Sequence, residues 1–108
     1  MSDAMSFVKK LVSSKKVVVF TKRSCSYCAA ALKALSFYNL PKDNFEVIDL
    51  EGRPDYDAIM DNLKELTGAR TVPRVFINEM CIGGSTDLEK IHRSGELGRM
   101  LEDLGLTS

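Results

Sequence analysis

The sequence predicts an α/β fold, a four-stranded mixed sheet with helices on both faces. Three observations carry this reading. Residues 17–20, "VVVF", are continuously apolar and mostly β-branched, as in a strand covered on both sides. A helix-like segment separates that run from the next strand, "FEVIDL", so the two run parallel through a right-handed crossover. The last two strands, within "TVPRVFI" and "MCI", are divided only by the tight turn "NE" and form an antiparallel hairpin.

Element by element, the chain opens with Phe7, Val8, Leu11 and Val12 at helical spacing, a short amphipathic helix. After the first strand, residues 26–38 read as a second helix. Ala29, Ala30, Ala31 and Ala34 favour helix and let its backbone lie close to a sheet. "NLPKDN" ends that pattern before the second strand. "GRPD" is a turn, after which Tyr56, Ile59, Met60, Leu63 and Leu66 fall on one helical face with Gly68 as the stop. Beyond the hairpin, Thr86 and Glu89 have capping-box spacing for a fourth helix. A fifth, carrying Leu97, Met100, Leu101 and Leu104, has Ser94 as its expected N-cap.

The chain has 108 residues, and neither repeat nor linker divides it, so residues 1–108 read as a single domain. Lys plus Arg and Asp plus Glu both number 15, a zero net charge that argues against a general nucleic-acid or anionic-membrane binder. The longest apolar run is far too short to cross a bilayer. "MSDAMSFVKKLVSSKK" lacks the layout of a secretory signal, and three cysteines are too few and too odd in number for a secreted disulfide scaffold. The expectation is a reducing compartment: the cytoplasm, or an organelle if a presequence has been removed.

Chemistry concentrates in "TKRSCSYC". Cys25 falls where the first strand feeds the second helix. Backbone N–H groups there have no intrahelical partners, the macrodipole favours negative charge, and Lys22 and Arg23 add cations. A thiol in that place ionises more readily, and the thiolate is the reactive species. Cys28 lies one turn along the same face, within reach of Cys25. The expected roles are Cys25 as exposed attacking thiolate and Cys28 as resolving thiol. A zinc site completed by Cys81 and His92 is the competing reading, and their sequence separation forms no second knuckle. Cys81 itself reads as a half-buried strand residue, and His92 as a surface or packing residue.

Two further segments suggest ligand grips. Val72 precedes Pro73, whose ring pushes it into an extended conformation and leaves its backbone groups free to pair with a peptide-like ligand. In "GGSTD", Gly83 and Gly84 allow close approach. Ser85 and Thr86 offer N–H groups at a helix start, a carboxylate site, and Asp87 can hold an ammonium group nearby.

Taken together and in order, "TKRSCSYC", "GARTVPRVFI" and "CIGGSTDL" resemble the glutaredoxins over nearly the whole chain. The resemblance implies a thioredoxin fold with strand order 2-1-3-4, a cis peptide before Pro73, and glutathione as electron donor. It implies that Lys22 and Arg70 face the glycyl carboxylate and that Val72 pairs with the cysteinyl backbone. Gly84, Ser85, Thr86 and Asp87 hold the γ-glutamyl end, Tyr27 flanks the sulfur, and Thr71 and Pro73 shape the adjoining loop. The implied activity is reduction of protein–glutathione mixed disulfides and protein disulfides, without nucleic acid or membrane as partner. Ser26 stands where most dithiol members have proline. Some relatives with serine there resemble carriers of a [2Fe–2S] cluster, with Cys25 as ligand and two subunits joined by two glutathiones. That is the alternative function, and the chain is otherwise expected to be monomeric.

Overall fold

The computed structural model describes residues 3–107. The chain runs α1 (Asp3–Ser14), β1 (Val17–Thr21), α2 (Ser26–Ser36), a 3₁₀ turn (Lys42–Asn44), β2 (Phe45–Asp49), α3 (Tyr56–Thr67), β3 (Arg74–Ile77), β4 (Met80–Gly83), α4 (Ser85–Ser94) and α5 (Glu96–Asp103). The four strands form one sheet in the order β2-β1-β3-β4. β1 pairs in parallel with β2, Val17 opposite Phe45, and antiparallel with β3, Val17 opposite Ile77. This is the mixed sheet and the order expected.

β1 is buried at every position, and its side chains alternate between two cores. Val18 and Phe20 join Val8, Val12, Ile59, Met60 and Leu63 beneath α1 and α3, where Phe20 meets Phe76 edge to face at 5.8 Å. Val17 and Val19 join Ala31, Leu35, Leu88, Leu97 and Leu101 beneath α2, α4 and α5. A strand held from both faces has little freedom, so its C-terminal end is a firm platform. Thr21 continues that anchoring: its carbonyl accepts Leu50 N–H at 2.8 Å, and its hydroxyl donates to Ile48 O at 3.3 Å.

Several expected details are corrected. α2 stops at Ser36, two residues short of the expected end. The N–H groups of Phe37, Tyr38 and Asn39 each turn back three residues, to Ala34, Leu35 and Ser36, and Asn39 has φ 51°. The helix tightens and closes there. α3 ends at Gly68 as read, with φ 87° and its N–H on Lys64 O at 2.7 Å. Leu66, expected on the apolar face, is instead exposed. α4 starts at Ser85 with Gly84 as N-cap. Its capping carboxylate is Asp87, which accepts Gly84 N–H at 2.9 Å, whereas Glu89 pairs with Arg93 at 2.7 Å. α5 is capped by Gly95, φ 86°, while Ser94 Oγ accepts Glu96 N–H at 3.2 Å from the end of α4. Cys81 is exposed, because β4 is the edge of the sheet. Among the described residues no helix is long and apolar enough to cross a membrane.

The two leucines of α3 give a stability test. Leu63→Ala, at a fully buried position, is expected to cost about 2–5 kcal/mol. Leu66→Ala should stay within about 0.5 kcal/mol of the parent. Urea unfolding followed by circular dichroism reads both values.

Candidate active site

The chain leaves β1 at Thr21 and turns at once, with Cys25 N–H donating to Lys22 O at 3.1 Å. That turn sets Cys25 as the N-cap of α2, with extended backbone (φ −93°, ψ 115°). Its Sγ accepts the Cys28 N–H at 3.3 Å, the place an N-cap oxygen ordinarily takes. The same sulfur lies 3.8 Å from Val72 O, within range for its S–H to donate to that carbonyl. Cys25 is half-buried rather than fully exposed, and Cys28, in the first turn of α2, is buried. Burial first, then the hydrogen bond and charge of Cys25, push the Cys28 thiol up to about 12, against smaller lowering effects from the Lys22 backbone and ammonium. The two sulfurs are therefore chemically unequal, one facing outward and one kept protonated behind it.

Beside Cys25 lies an open cleft of about 350 Å³. Its walls are Tyr27 from α2, Thr71, Val72 and Pro73 before β3, Arg74, and residues 84–87 at the start of α4. The Val72–Pro73 peptide is cis, as the resemblance implied. Among the described residues the Val72 N–H has no hydrogen-bond partner, so an extended ligand can pair with it. Ser85 and Thr86 open α4 and aim unpaired N–H groups at the cleft. Gly83 has φ 120°, and a Cβ there would collide with the Asp87 carboxylate. Any larger residue would displace the group that caps α4.

The cations are less free than the sequence suggested. Arg23 pairs with Asp49 at 2.7 Å, and the Lys22 ammonium sits over the Tyr56 ring, 5.0 Å from its centre. Arg70 does not line the cleft: its guanidinium spans Asp61 at 2.9 Å and Asp57 at 3.0 Å on α3. Ser24, next to Cys25, gives its N–H and hydroxyl to Glu51, at 3.2 and 3.1 Å, tying the turn before Cys25 to the turn that follows β2.

Two residues escaped the sequence reading. Arg74 lines the cleft, with its Nε on Pro73 O at 3.1 Å, and a Cβ on Gly84 would come within 2.9 Å of its Nη2. The signal was a charged residue directly after Pro73, at the mouth of a strand. Glu51 holds the turn before Cys25, which nothing local in the sequence marks. Cys81 and His92 do not join Cys25. His92 Nδ1 is bonded to Tyr38 Oη at 2.5 Å and packs against Phe37, and among the described residues no group of three or more His, Cys, Asp or Glu side chains gathers.

Comparison with known proteins agrees with this geometry. The glutaredoxin family model matches residues 17–82. Glutaredoxin-1 of Sus scrofa is 44% identical over 102 residues, covering 94% of this chain and 96% of its own. The crystal structure of oxidized glutaredoxin 2 from Chlamydomonas reinhardtii superposes with a TM-score of 0.90 at 39% identity, covering 96% of this chain and 95% of that one. The buckwheat glutaredoxin–glutathione complex superposes with a TM-score of 0.88 at 36% identity, covering 97% and 93%.

The inequality of the two sulfurs is directly measurable. With Cys28 raised to about 12, its thiol stays protonated throughout the neutral and mildly alkaline range and loses its proton only as pH approaches that value. In protein labelled with ¹³C-cysteine, the Cys28 Cβ resonance should not titrate below about pH 10, where an ordinary thiol is already ionised. A midpoint near that of a free cysteine would contradict the assignment.

Proposed function

The chain belongs to the glutaredoxin family and is a thiol–disulfide oxidoreductase, and from that premise we propose that it reduces protein–glutathione mixed disulfides and protein disulfides at the expense of glutathione, with Cys25 as nucleophile and Cys28 as resolving thiol. The observation that supports this most is the placement of Cys25 Sγ. It caps α2 at the edge of a cleft whose walls offer a free backbone edge, a helix start and a carboxylate.

In the first step the Cys25 thiolate attacks the glutathione sulfur of a mixed disulfide. A Cys25–glutathione disulfide forms, the bond to the protein sulfur breaks, and the protein thiolate leaves and takes up a proton. A second glutathione thiolate then attacks the bound glutathione sulfur, releasing glutathione disulfide and restoring Cys25. For a protein disulfide, Cys25 attacks one sulfur and frees the other. Cys28 then attacks Cys25, closing the Cys25–Cys28 bond and releasing the second substrate thiol. Two glutathiones reopen that bond. Access and leaving-group acidity set the rates.

The cleft recognises glutathione by its ends. Val72 pairs with the cysteinyl backbone, against a wall of Thr71 and Pro73. The N–H groups of Ser85 and Thr86 hold the γ-glutamyl carboxylate, Gly84 lets the ligand approach, Asp87 holds its ammonium, and Tyr27 covers the sulfur. Lys22 and Arg70 serve the glycyl carboxylate. For Arg70 this means exchanging Asp57 and Asp61 for the ligand. Those pairs are exposed, so the exchange costs little. A [2Fe–2S] centre would draw on Cys25 alone from each chain, with a second subunit and glutathione supplying the rest. The cleft fits the exchange cycle without such additions.

In a coupled glutathione-reductase assay, Cys25→Ser is expected to lose all turnover. Cys28→Ser should retain turnover of a glutathione mixed disulfide while losing most reduction of an intramolecular disulfide. Substantial activity in the first variant would overturn the assignment. Asp87→Asn keeps an oxygen to cap Gly84 but removes the charge. It should raise the KM for glutathione about tenfold, the size of one charge-assisted hydrogen bond, with kcat little changed.

A further inference from the structure

A second depression, about 930 Å³, runs between α2 and α4 and opens from the cleft beside Cys25, sharing Tyr27, Ser85 and Thr86 with it. Its floor on α2 is the stripe Tyr27, Ala30, Ala34 and Phe37, residues that fall on one helical face. The two ends of the stripe are exposed aromatics, Tyr27 at 67% and Phe37 at 73% of full accessibility. Solvent-facing rings of that size, bracketing small side chains, leave apolar surface uncovered along the helix. The rim is basic. Glu89 is already paired with Arg93 at 2.7 Å, and among the described residues neither Lys33 nor Lys90 has a carboxylate partner.

We propose that this groove seats the polypeptide segment flanking the disulfide of a protein substrate, and that it selects segments carrying acidic and apolar residues. Three features point to that occupant. The groove is continuous with the cleft, so a chain paired in extended form with Val72 passes Tyr27 and Thr86 directly into it. From Tyr27 to Phe37 is ten residues of helix, about 15 Å, which matches four or five residues of extended chain at about 3.3 Å each. Unpaired Lys33 and Lys90 complement carboxylates, while the alanines and the ring of Phe37 accept the alternate apolar side chains. In the proposed binding mode glutathione lies in the cleft and meets the groove only at the shared Tyr27, Ser85 and Thr86, leaving Lys33, Phe37 and Lys90 to a longer chain. The inference rests on Cys25 and Cys28 acting as assigned above. The chemistry is the same two-thiol exchange, in which the substrate disulfide gains two electrons and the Cys25–Cys28 pair gives them up.

The test uses three peptides sharing one internal disulfide, with acidic-apolar, basic-apolar or acidic-polar flanks on both sides, and the mixed disulfide of glutathione and cysteamine as a control. The parent protein should reduce the acidic-apolar peptide with a kcat/KM about tenfold above that of the basic-apolar one, and above that of the acidic-polar one. The double variant Lys33→Glu/Lys90→Glu should invert the charge preference and leave the control within about twofold. Equal kcat/KM for all three peptides, an unchanged preference in the variant, or failure to reduce any peptide while the control is turned over would each overturn the groove. Failure of the parent protein on the control would instead overturn the assignment of Cys25, so the two are told apart.

Discussion

Helix α2 begins on a sulfur atom where most helices begin on an oxygen. The Cys28 N–H, one of the donors that every helix start leaves without a partner, points at Cys25 Sγ at 3.3 Å. The rest of the site follows from that contact. The spacing that lets an N-cap accept from the third residue along is the C-x-x-C spacing, so the donor belongs to the second cysteine. Cys28 then sits one turn inside the helix, against the sheet and out of solvent. One local geometry thus fixes which sulfur is reachable from solvent and which is buried.

That geometry needs a firm base, and β1 supplies it. The strand is gripped by two cores at once, and its last residue is bonded twice to the neighbouring β2 segment. Glu51 adds a third tie, holding the Ser24 N–H and hydroxyl. The wall opposite Cys25 is set by β3, paired with β1, and by α4, where Asp87 caps Gly84 and thereby fixes the start of the helix at Ser85 and Thr86. The cleft lies where these two parts of one sheet and core face each other. The cations around it are mostly spoken for, Arg23 by Asp49 and Arg70 by Asp57 and Asp61. Local positive charge is therefore balanced close to its source.

The elements were legible because their signals are short-range. An unbroken apolar run, alanine and leucine spacing, and Gly68 at a helix end each act within a few residues. The strand order and the cis peptide came through the resemblance, since neither is encoded in local spacing. What the sequence hid was the destination of long side chains. The resemblance assigns Lys22 and Arg70 to a carboxylate, yet Arg70 reaches two carboxylates four residues apart on α3, a docking pair visible only after α3 is folded. Arg74 was absorbed into its strand, and its place in the cleft depends on Gly84, ten positions later. The cap of α4 fell on Asp87 because Gly84, the residue that can take up the required backbone at close quarters, is three positions before it. Thr86 and Glu89 had the right spacing but the wrong start.

The causes that act on Cys28 bear on the order of the proposed steps. Desolvation is the largest and is permanent, but the next is the hydrogen bond from Cys25, and the Cys25 charge adds to it. Both depend on Cys25 being a free sulfur. Once Cys25 is joined to a substrate sulfur it carries no charge and is a poorer partner, so those contributions fall away. The lowering influences of the Lys22 backbone and ammonium remain. In the free protein these causes together keep the Cys28 thiol protonated. A resolving thiol that ionised early would repel the attacking thiolate beside it. One that stayed fully suppressed would leave the mixed disulfide to be cleared by glutathione alone. In the proposed cycle, placing both sulfurs on one helical turn would make the second step depend on the first, because the groups that suppress Cys28 include the free Cys25 sulfur.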